Sequence, residues 1–234
     1  LSKINLVNAL KGKSTKVKRK STMSRIAVIS QFSISVFLIS ALVIVFAQVN
    51  YLKEVPLGFN PGNVIGITNL NNEVRKSASS IVDELSQLAF VEDAACSDHG
   101  MGQGSSGQGI KKYGAPGNFK GIDEYRVQPG FAKTMQLELV DGRYFNQSEA
   151  DKNAVILNQT AAKMLGPDVK VGSLVDMFDE PLTVIAIAKD FYYIDHPGAP
   201  VGPLVLTNYR SNVNNLYVRT KPGTTSAQLA QIDA

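Results

Sequence analysis

The sequence predicts an α+β fold, in which one N-terminal transmembrane helix is followed by a mixed α+β domain. Two observations support this prediction. Residues 26–52 contain no charged side chain, and strand-like and helix-like patterns alternate from Asn63 onward. The second region holds about 170 residues, which is enough to bury one well-filled core.

The uncharged run has the length and the flanks of a membrane span. Its most apolar part, residues 26–47, would extend roughly 33 Å as an α-helix, and a hydrocarbon layer is about 30 Å thick. Eight basic residues and no acidic residue precede the run. Because short basic segments stay in the cytoplasm during insertion, we expect residues 1–25 to form a basic cytoplasmic connector. Residues 26–52 would then cross the membrane, and residues 53–234 would lie on its far side.

A cleaved signal peptide is the alternative interpretation of the apolar run. Val45, Phe46 and Ala47 fit a small-residue cleavage pattern, but signal peptides have a shorter apolar core of roughly 7 to 15 residues. The chain begins at Leu1 with a helix-like stretch before the span. We therefore also expect it to be an interior piece of a longer protein.

The charge distribution favours lipid over nucleic acid as a partner of the basic segment. The net charge is +4, yet residues 26–234 hold sixteen basic and twenty acidic side chains. The basic segment has no aromatic residue to stack on a base and lies beside an apolar span. We predict contact with membrane lipid and no nucleic-acid partner.

The span itself predicts a neighbouring helix in the membrane. Ser33, Ser40 and Ala47 recur every seven residues, which leaves one helical face small enough for close helix packing. A lone anchor with scattered serines is the alternative. Gln31 is the costliest polar group of the run and could bond a neighbouring helix.

The domain after the span begins with a predicted strand–helix–strand unit. We expect a strand at residues 64–67, a helix over residues 73–88 capped by Asn71 or Asn72, and a returning strand at 91–96. Residues 99–109 are rich in glycine and serine and predict a mobile loop.

The remaining elements follow from alternation, turn residues and caps. Asp141 and Gly142 indicate a turn, Asn158 is a helix cap, and Gly166 ends that helix. Further strands are predicted at 122–127, 137–140, 154–157, 174–178, 182–188, 204–206 and 216–218, and short helices at 131–135, 159–165 and from Thr225. Of these strands, 174–178 and 182–188 would pair with each other.

We predict no catalytic, cofactor-binding or metal-binding residues and no enzymatic activity. Cys96 is the only cysteine, so no internal disulfide can form, and its place at the end of a strand predicts a small buried hydrophobe. A Cys96–His99 nucleophile would need an orienting partner that the sequence does not reveal. His99 and His196 are almost a hundred residues apart, without metal-ligand spacing, and are predicted to lie in surface loops.

Three other motifs also receive structural interpretations. Residues 100–109 lack the Gly-Lys-Ser/Thr ending of a phosphate-binding loop, and Ser105-Ser106 lacks the G-x-S-x-G frame of a nucleophile. Residues 190–193 join an acid to three aromatic rings, which predicts a strand end that caps the core, with a partner-contact corner as the alternative. The side chains of Lys111, Lys112 and Lys120 are predicted to be solvated.

Five stretches, taken in order, resemble a known family. They are ALKGK, SQFSISVFLIS, YLKEVPLGFNPGNVIGI, YRVQPGFAKTMQLELVDGRYF, and AVILNQTAAKMLG continuing through VIAIAKDFYYIDHP. Together they resemble the permease subunit of ABC transporters of the MacB/FtsX type, in the duplicated eight-span form of Bacteroidetes. The resemblance implies that residues 53–234 are a MacB-like periplasmic core domain, incomplete at its C-terminus, in the bacterial inner membrane.

The resemblance also implies partners and a mechanism. A separate cytoplasmic ABC ATPase subunit would hydrolyse ATP, other spans of the same permease would pack on this one, and two permeases would form a homodimer. A periplasmic adaptor or an outer-membrane channel would complete an exporter. Motion of the span would reach the periplasmic domain through the linker at residues 56–61.

Two other functions stay open on the sequence alone. The first is a membrane-anchored periplasmic regulator or sensor, which would bind a partner such as a cell-wall hydrolase without transport. The second is a hydrolase in the exposed domain, which the absence of a catalytic motif disfavours. The substrate cannot be carried over from the family.

Overall fold

The computed structural model describes residues 15–177, 180–194, 199–208 and 213–232, with side chains from residue 22 onward. The chain divides into two compact units, the first ending at Val55 and the second beginning at Pro56.

The described part of the first unit is a single long helix, α1 (Thr15–Glu54). Within it, Thr22–Glu54 is the one helix of the described chain that is long and apolar enough to cross a membrane. Its large side chains have no protein cover: Phe32 is 69% exposed and Phe37 is 70% exposed. Exposing so many apolar side chains to water would be costly, so the helix is suited to lipid. It ends just before Pro56, which cannot continue a helix.

The second unit alternates strands and short helices along the chain. They are β1 (Val64–Ile67), α2 (Asn72–Lys76), α3 (Ala78–Ser86), β2 (Val91–Ser97), β3 (Ser106–Lys112), β4 (Lys120–Val127), α4 (Phe131–Thr134), β5 (Leu139–Gly142), a 3-10 turn (Glu149–Asn153), β6 (Ala154–Asn158), α5 (Gln159–Leu165), β7 (Leu174–Met177), β8 (Glu180–Ala188), β9 (Leu204–Asn208), β10 (Asn215–Thr220) and α6 (Ser226–Leu229).

Six strands close into a ring. The order of neighbouring strands around the ring is β4–β3–β7–β8–β6–β9. Strand β9 pairs in parallel with β4, which closes the ring. All six contribute buried apolar side chains to one cluster, which includes Ile110, Ile122, Val155, Val175, Val184 and Val205. Because every strand of the ring contributes, we place this cluster inside the ring. Helix α5 adds Ala161 and Leu165 to it.

A three-stranded extension, β1–β10–β2, continues the sheet beyond the ring. Strands β10 and β2 pair antiparallel over six positions, whereas β2 meets β4 at a single position, Ser97 opposite Val127. Helix α3 covers one face of the extension. On the opposite face of the extension, Ala95 and Tyr217 belong to a second buried cluster. This cluster also contains side chains from the outer face of the ring, together with Phe131, Phe191 and Tyr193.

Most of the predicted elements are confirmed, and three are corrected. The helix expected over residues 73–88 is two helices, because Ser77 ends α2 by donating its N–H to the carbonyls of Glu73 and Val74. The chain at Asp141 and Gly142 is part of β5 rather than a free turn. Part of the loop expected at residues 99–109 is strand β3. Residue 178, the last of the strand expected at 174–178, and residue 179, just after that strand, lie outside the described residues.

Candidate functional site

We call residues 56–63, which include the expected linker at residues 56–61, the linker. They are the first residues of the second unit, and hydrogen bonds join them to the rest of that unit. The amide of Tyr192 donates to the carbonyl of Leu57 at 2.9 Å, and the amide of Asn60 donates to the carbonyl of Met135 at 3.1 Å. At the far end of the linker, the amide of Thr220 donates to the carbonyl of Asn63 at 2.8 Å. These bonds hold the linker, with its proline and glycine residues, against the rest of the second unit.

A buried arginine makes the strongest of these attachments. Arg219 is 2% exposed and lies in β10. Its Nη1 donates to the carbonyl of Gly62 at 2.8 Å, and its Nη2 donates to the carbonyl of Asn60 at 2.6 Å. Its Nε donates to the carbonyl of Thr134, at the end of α4, at 2.5 Å. One side chain thus joins the linker, α4 and β10.

The charge of Arg219 is stabilised by oriented carbonyl groups. Burial lowers the pKa of the guanidinium, and the nearby carboxylates of Glu92 and Asp93 oppose that shift. Arginine remains protonated in proteins at any physiological pH. Burying a charge is expensive unless its donors are satisfied, so the three carbonyl acceptors are what make this position tolerable.

Gly58 fixes the linker against the segment that follows β8. Its φ of +77° favours glycine, and a Cβ at this position would lie 2.5 Å from the carbonyl oxygen of Asp190 and 2.7 Å from Cα of Phe191. Asp190 in turn accepts from the amide and the hydroxyl of Thr160, at 2.9 and 2.8 Å, in the first turn of α5.

The linker therefore contacts both parts of the domain. Its first half meets the segment after β8, which continues through Asp190 to α5 and the ring. Its second half is bonded through Arg219 and Thr220 to β10 of the three-stranded extension.

The stretch predicted as a mobile loop is instead anchored by long-range hydrogen bonds. The amide of Met101 donates to the Tyr217 hydroxyl at 2.7 Å, and the Tyr125 hydroxyl donates to the carbonyl of Gly100 at 2.8 Å. The Ser105 hydroxyl donates to Asp123 at 2.7 Å. These bonds hold the stretch against β4 and β10, so its content of glycine and serine does not make it a free loop.

Asp98, His99 and Ser106 come together in this stretch, but not as a catalytic triad. Nε2 of His99 lies 2.9 Å from the Ser106 hydroxyl and 3.5 Å from Oδ2 of Asp98. The carboxylate and the hydroxyl therefore face the same ring nitrogen, whereas a triad orients the base through its other nitrogen. Burial raises the pKa of Asp98, and His99 acts against that rise. Asp98 also accepts from the amides of His99 and Arg126, which is a structural role.

The other predicted residues take the following places. Cys96 is buried as predicted, and burial raises the pKa of its thiol to about 12, which suppresses its reactivity. Within the described part of the chain, no group of three or more metal-ligating side chains comes together. His99 is half-buried rather than a surface residue, and His196 lies outside the described residues.

Residues 190–193 have the expected structural role of capping the core. Of the three lysines predicted to be solvated, Lys120 is exposed, whereas Lys111 and Lys112 are half-buried. Phe191 and Tyr193 are 1% and 2% exposed and pack in the core. Nζ of Lys111 lies 3.5 Å from Oδ2 of Asp176 and 4.4 Å from the ring centroid of Phe119. The other two lysines are also engaged: Lys112 pairs with Asp168, and Lys120 donates to the carbonyl of Met164.

Arg219 was not identified from the sequence as a functional residue. The one sequence feature that pointed to a role for Arg219 is that it is a charged residue in the largely apolar strand NLYVRT. A buried charge in such a strand requires its own set of hydrogen-bond acceptors. The acceptors themselves lie up to 159 residues away and have no sequence signature.

Comparisons with known proteins agree with this fold. The sequence profile of the MacB-like periplasmic core domain matches residues 33–233. The periplasmic region of MacB from Actinobacillus actinomycetemcomitans is similar in structure, with a TM-score of 0.52, 16% identity, and coverage of 77% of this chain and 85% of that chain. The extracellular domain of the noncanonic ABC-type transporter YknZ from Gram-positive bacteria gives a TM-score of 0.48 at 16% identity, over 73% of this chain and 88% of that chain.

No curated protein matches the chain in sequence. At 16% identity, the likeness to the MacB structure shows the fold alone. The profile match covers most of the chain and shows the family. The chain therefore belongs to the MacB-like periplasmic core domain family of ABC-type transporter permeases, as its sequence resemblance predicted.

Proposed function

We propose that this chain transmits movement from the membrane into the periplasm in an ABC-type permease. A cytoplasmic ATPase subunit would displace α1, and the linker would pass that displacement to the periplasmic domain. Permeases of this family are generally not enzymes and work with an ATPase subunit. The domain itself would therefore perform mechanical work rather than chemistry.

The observation that supports this proposal most directly is the two-sided attachment of the linker. It is bonded to the three-stranded extension through Arg219 and packed through Gly58 against the segment that leads to the ring. Buried, charge-assisted hydrogen bonds of this kind resist separation better than exposed ones. A linker that served only as a tether would need none of them.

The proposal includes a topology and an assembly. Residues 1–25 would be the cytoplasmic connector, residues 26–52 the span and residues 53–234 the periplasmic domain, because eight basic residues precede the span. The periplasmic domain sits on an inner-membrane permease, in agreement with its family. Other spans of the permease and a second permease would complete the transport path, since one helix cannot enclose a path.

An insertion at the linker tests the proposal. Several glycines inserted after Val55, in the complete permease with its ATPase, should leave ATP hydrolysis intact and abolish transport. Spin labels at Met23 and Ser226 give a readout that needs no known substrate. We expect an ATP-dependent change in their separation in the unmodified protein and no change after the insertion.

The matched control is the same insertion after Gly117, in the β3–β4 turn. Nothing lies within 4 Å of a side chain built at that position, so the added residues can be accommodated. This variant should retain the ATP-dependent change. Unchanged transport or an unchanged distance response in the Val55 variant would refute transmission through the linker.

A further inference from the structure

One end of the ring carries most of the domain's exposed large apolar side chains. Among the described residues from Pro56 onward, five such side chains are exposed, and three of them are Tyr113 at 53%, Phe119 at 42% and Leu174 at 45%. Tyr113 and Phe119 lie in the β3–β4 turn, and the amide of Tyr113 donates to the carbonyl of Leu174 at 3.1 Å. We call these three residues and the glycines beside them the hairpin patch.

Two glycines of the hairpin patch, Gly107 and Gly121, are not required by the fold. Gly109 is paired with Gly121 across β3 and β4, and Gly107 is paired with Asp123. A Cβ at Gly107 or at Gly121 would meet nothing within 4 Å, and neither residue has a positive φ. Glycine inside a strand costs roughly 0.5–1 kcal/mol relative to alanine. Such a residue often marks a place where another backbone approaches closely.

These glycines form the floor of a shallow depression. It has a volume of about 510 Å³ and includes Gly107, Gly109 and Gly121 in its lining. The lining also includes Asp123, whose two carboxylate oxygens accept bonds from the hydroxyls of Ser105 and Tyr193. Phe119 borders the floor, because its Cβ would lie 3.0 Å from a Cβ built on Gly109. The depression therefore combines accessible backbone with an aromatic wall.

The patch is basic in a domain that is otherwise acidic. The two stretches that border it, residues 111–120 and 163–176, hold five lysines and two aspartates, a net charge of +3. The rest of residues 56–234 holds ten basic and seventeen acidic side chains, a net charge of −7. Lys120 donates to a backbone carbonyl rather than to a carboxylate. This asymmetry favours an acidic partner at the patch and disfavours one elsewhere.

The patch lies at the end of β8 that is remote from the linker. Leu174 pairs with Thr183 of β8, whereas the other end of that strand, Ala188, leads to Asp190 and its contact with Gly58. The five residue steps from Thr183 to Ala188 span about 17 Å. Tyr113 and Leu174 therefore lie at the opposite end of β8 from the contact with Gly58.

We propose that the hairpin patch binds an acidic, extended segment of another polypeptide. The backbone of that segment would lie on the glycine floor, its apolar side chains would pack on Tyr113, Phe119 and Leu174, and its carboxylates would pair with the lysines around the patch. Apolar contacts with the three exposed side chains would supply affinity, the glycines would admit the backbone of the segment, and charge complementarity would supply selectivity. This inference does not depend on transmission through the linker.

A fluorescent peptide tests the proposal with the full chain in detergent micelles. The probe is an extended peptide of about ten residues that alternates glutamate with phenylalanine and leucine. We expect Gly121→Val to weaken its binding about tenfold without lowering the melting temperature, since the added side chain fills the floor and improves strand propensity. The pair Lys112→Glu and Lys120→Glu should weaken binding by a similar factor, and added salt should weaken it in the unmodified protein.

The matched control is Lys152→Glu with Lys189→Glu, the same change of charge at two exposed ion pairs outside the patch. This variant should bind the peptide as the unmodified chain does. Three results would overturn the proposal. The first is that the Gly121→Val variant binds the peptide as tightly as the unmodified chain does. The second is that the control variant loses as much affinity as the Lys112→Glu, Lys120→Glu variant. The third is that the patch binds phosphatidylglycerol vesicles in preference to the peptide. Concentration-dependent dimerisation abolished by Gly121→Val would also overturn it, in favour of a second copy of this chain.

Discussion

Nη1 of Arg219 lies 2.8 Å from the carbonyl oxygen of Gly62, across 157 positions of sequence. This bond joins the last strand of the domain to the segment that emerges from the membrane helix. The carbonyl of Asn60 accepts a second bond from the same guanidinium at 2.6 Å. The attachment is therefore set by the folded domain and does not form before β10 is in place.

Replacing Arg219 should destabilise the domain strongly. Arg219→Met keeps most of the apolar volume but leaves the carbonyls of Asn60, Gly62 and Thr134 without their donor. We expect the free energy of unfolding to fall by about 3 kcal/mol, since unsatisfied buried acceptors cost more than the bonds themselves gain. Urea unfolding of the full chain in detergent measures this change.

Arg75→Met is the control for that measurement. Arg75 lies on the short helix α2 and makes no bond to the linker. Its replacement should change the free energy of unfolding by less than about 0.5 kcal/mol. Equal effects of the two variants would mean that the guanidinium of Arg219 has no special role in holding the linker.

Replacing Gly58 separates steric contact from backbone strain. Gly58→Ala places a methyl group 2.5 Å from the carbonyl of Asp190, in addition to the cost of a positive φ. Gly114 also has a positive φ, of +70°, but a Cβ there meets nothing within 4 Å. We expect Gly58→Ala to cost about 3 kcal/mol and Gly114→Ala about 1 kcal/mol. Thermal or urea unfolding of the two variants gives the comparison, and equal losses would contradict the contact at Asp190.

The parts of the fold that the sequence predicted are those set by local interactions. The caps predicted at Asn71 and Asn158 form, because each side-chain acceptor reaches an amide three positions on, and the helix expected from Thr225 begins there with Thr225 as its cap. Strands β7 and β8 pair as expected because they are neighbours in the chain. Local pattern was sufficient in each of these cases.

The parts that the sequence did not predict depend on contacts between distant residues. The stretch at 99–109 looked mobile by composition, but the Met101 amide is held by a hydroxyl 116 residues away. The ring closes through the pairing of β4 with β9, which neither strand indicates by itself. The acceptors of Arg219 are backbone carbonyls, which every residue carries, so no residue type identifies them.

Cys96 should be inert in the native protein. Its side chain is fully buried, and burial raises the pKa of its thiol to about 12, so the reactive thiolate is scarce at neutral pH. We expect a thiol reagent to modify Cys96 only after unfolding in urea. Modification of the native chain at pH 8, at a rate near that of the unfolded chain, would contradict the burial of this strand.

The ion pair of Asp151 with Arg143 should contribute to acid stability. Asp151 has a side chain that is 1% exposed and accepts bonds of 2.7 Å from both terminal nitrogens of Arg143 and from the amide of Asn146. The bonds from Arg143 lower the pKa of Asp151 below its ordinary value, although burial opposes them. A carboxyl group with a lowered pKa in the folded state stabilises that state above its unfolded pKa of about 3.9.

That stabilisation should be lost as the pH falls through the lowered pKa of Asp151. We expect Asp151→Asn to reduce the free energy of unfolding by about 2 kcal/mol at pH 7 and by less at pH 2, where the carboxyl group of the unfolded chain is already protonated. Asp141→Asn, at an exposed position in β5, is the control and should have little effect at either pH. Because an uncharged asparagine cannot gain or lose the proton, the stability curves of native and Asp151→Asn proteins should converge in acid. Curves that stay parallel from pH 7 to pH 2 would show that the Asp151 carboxylate contributes through packing alone.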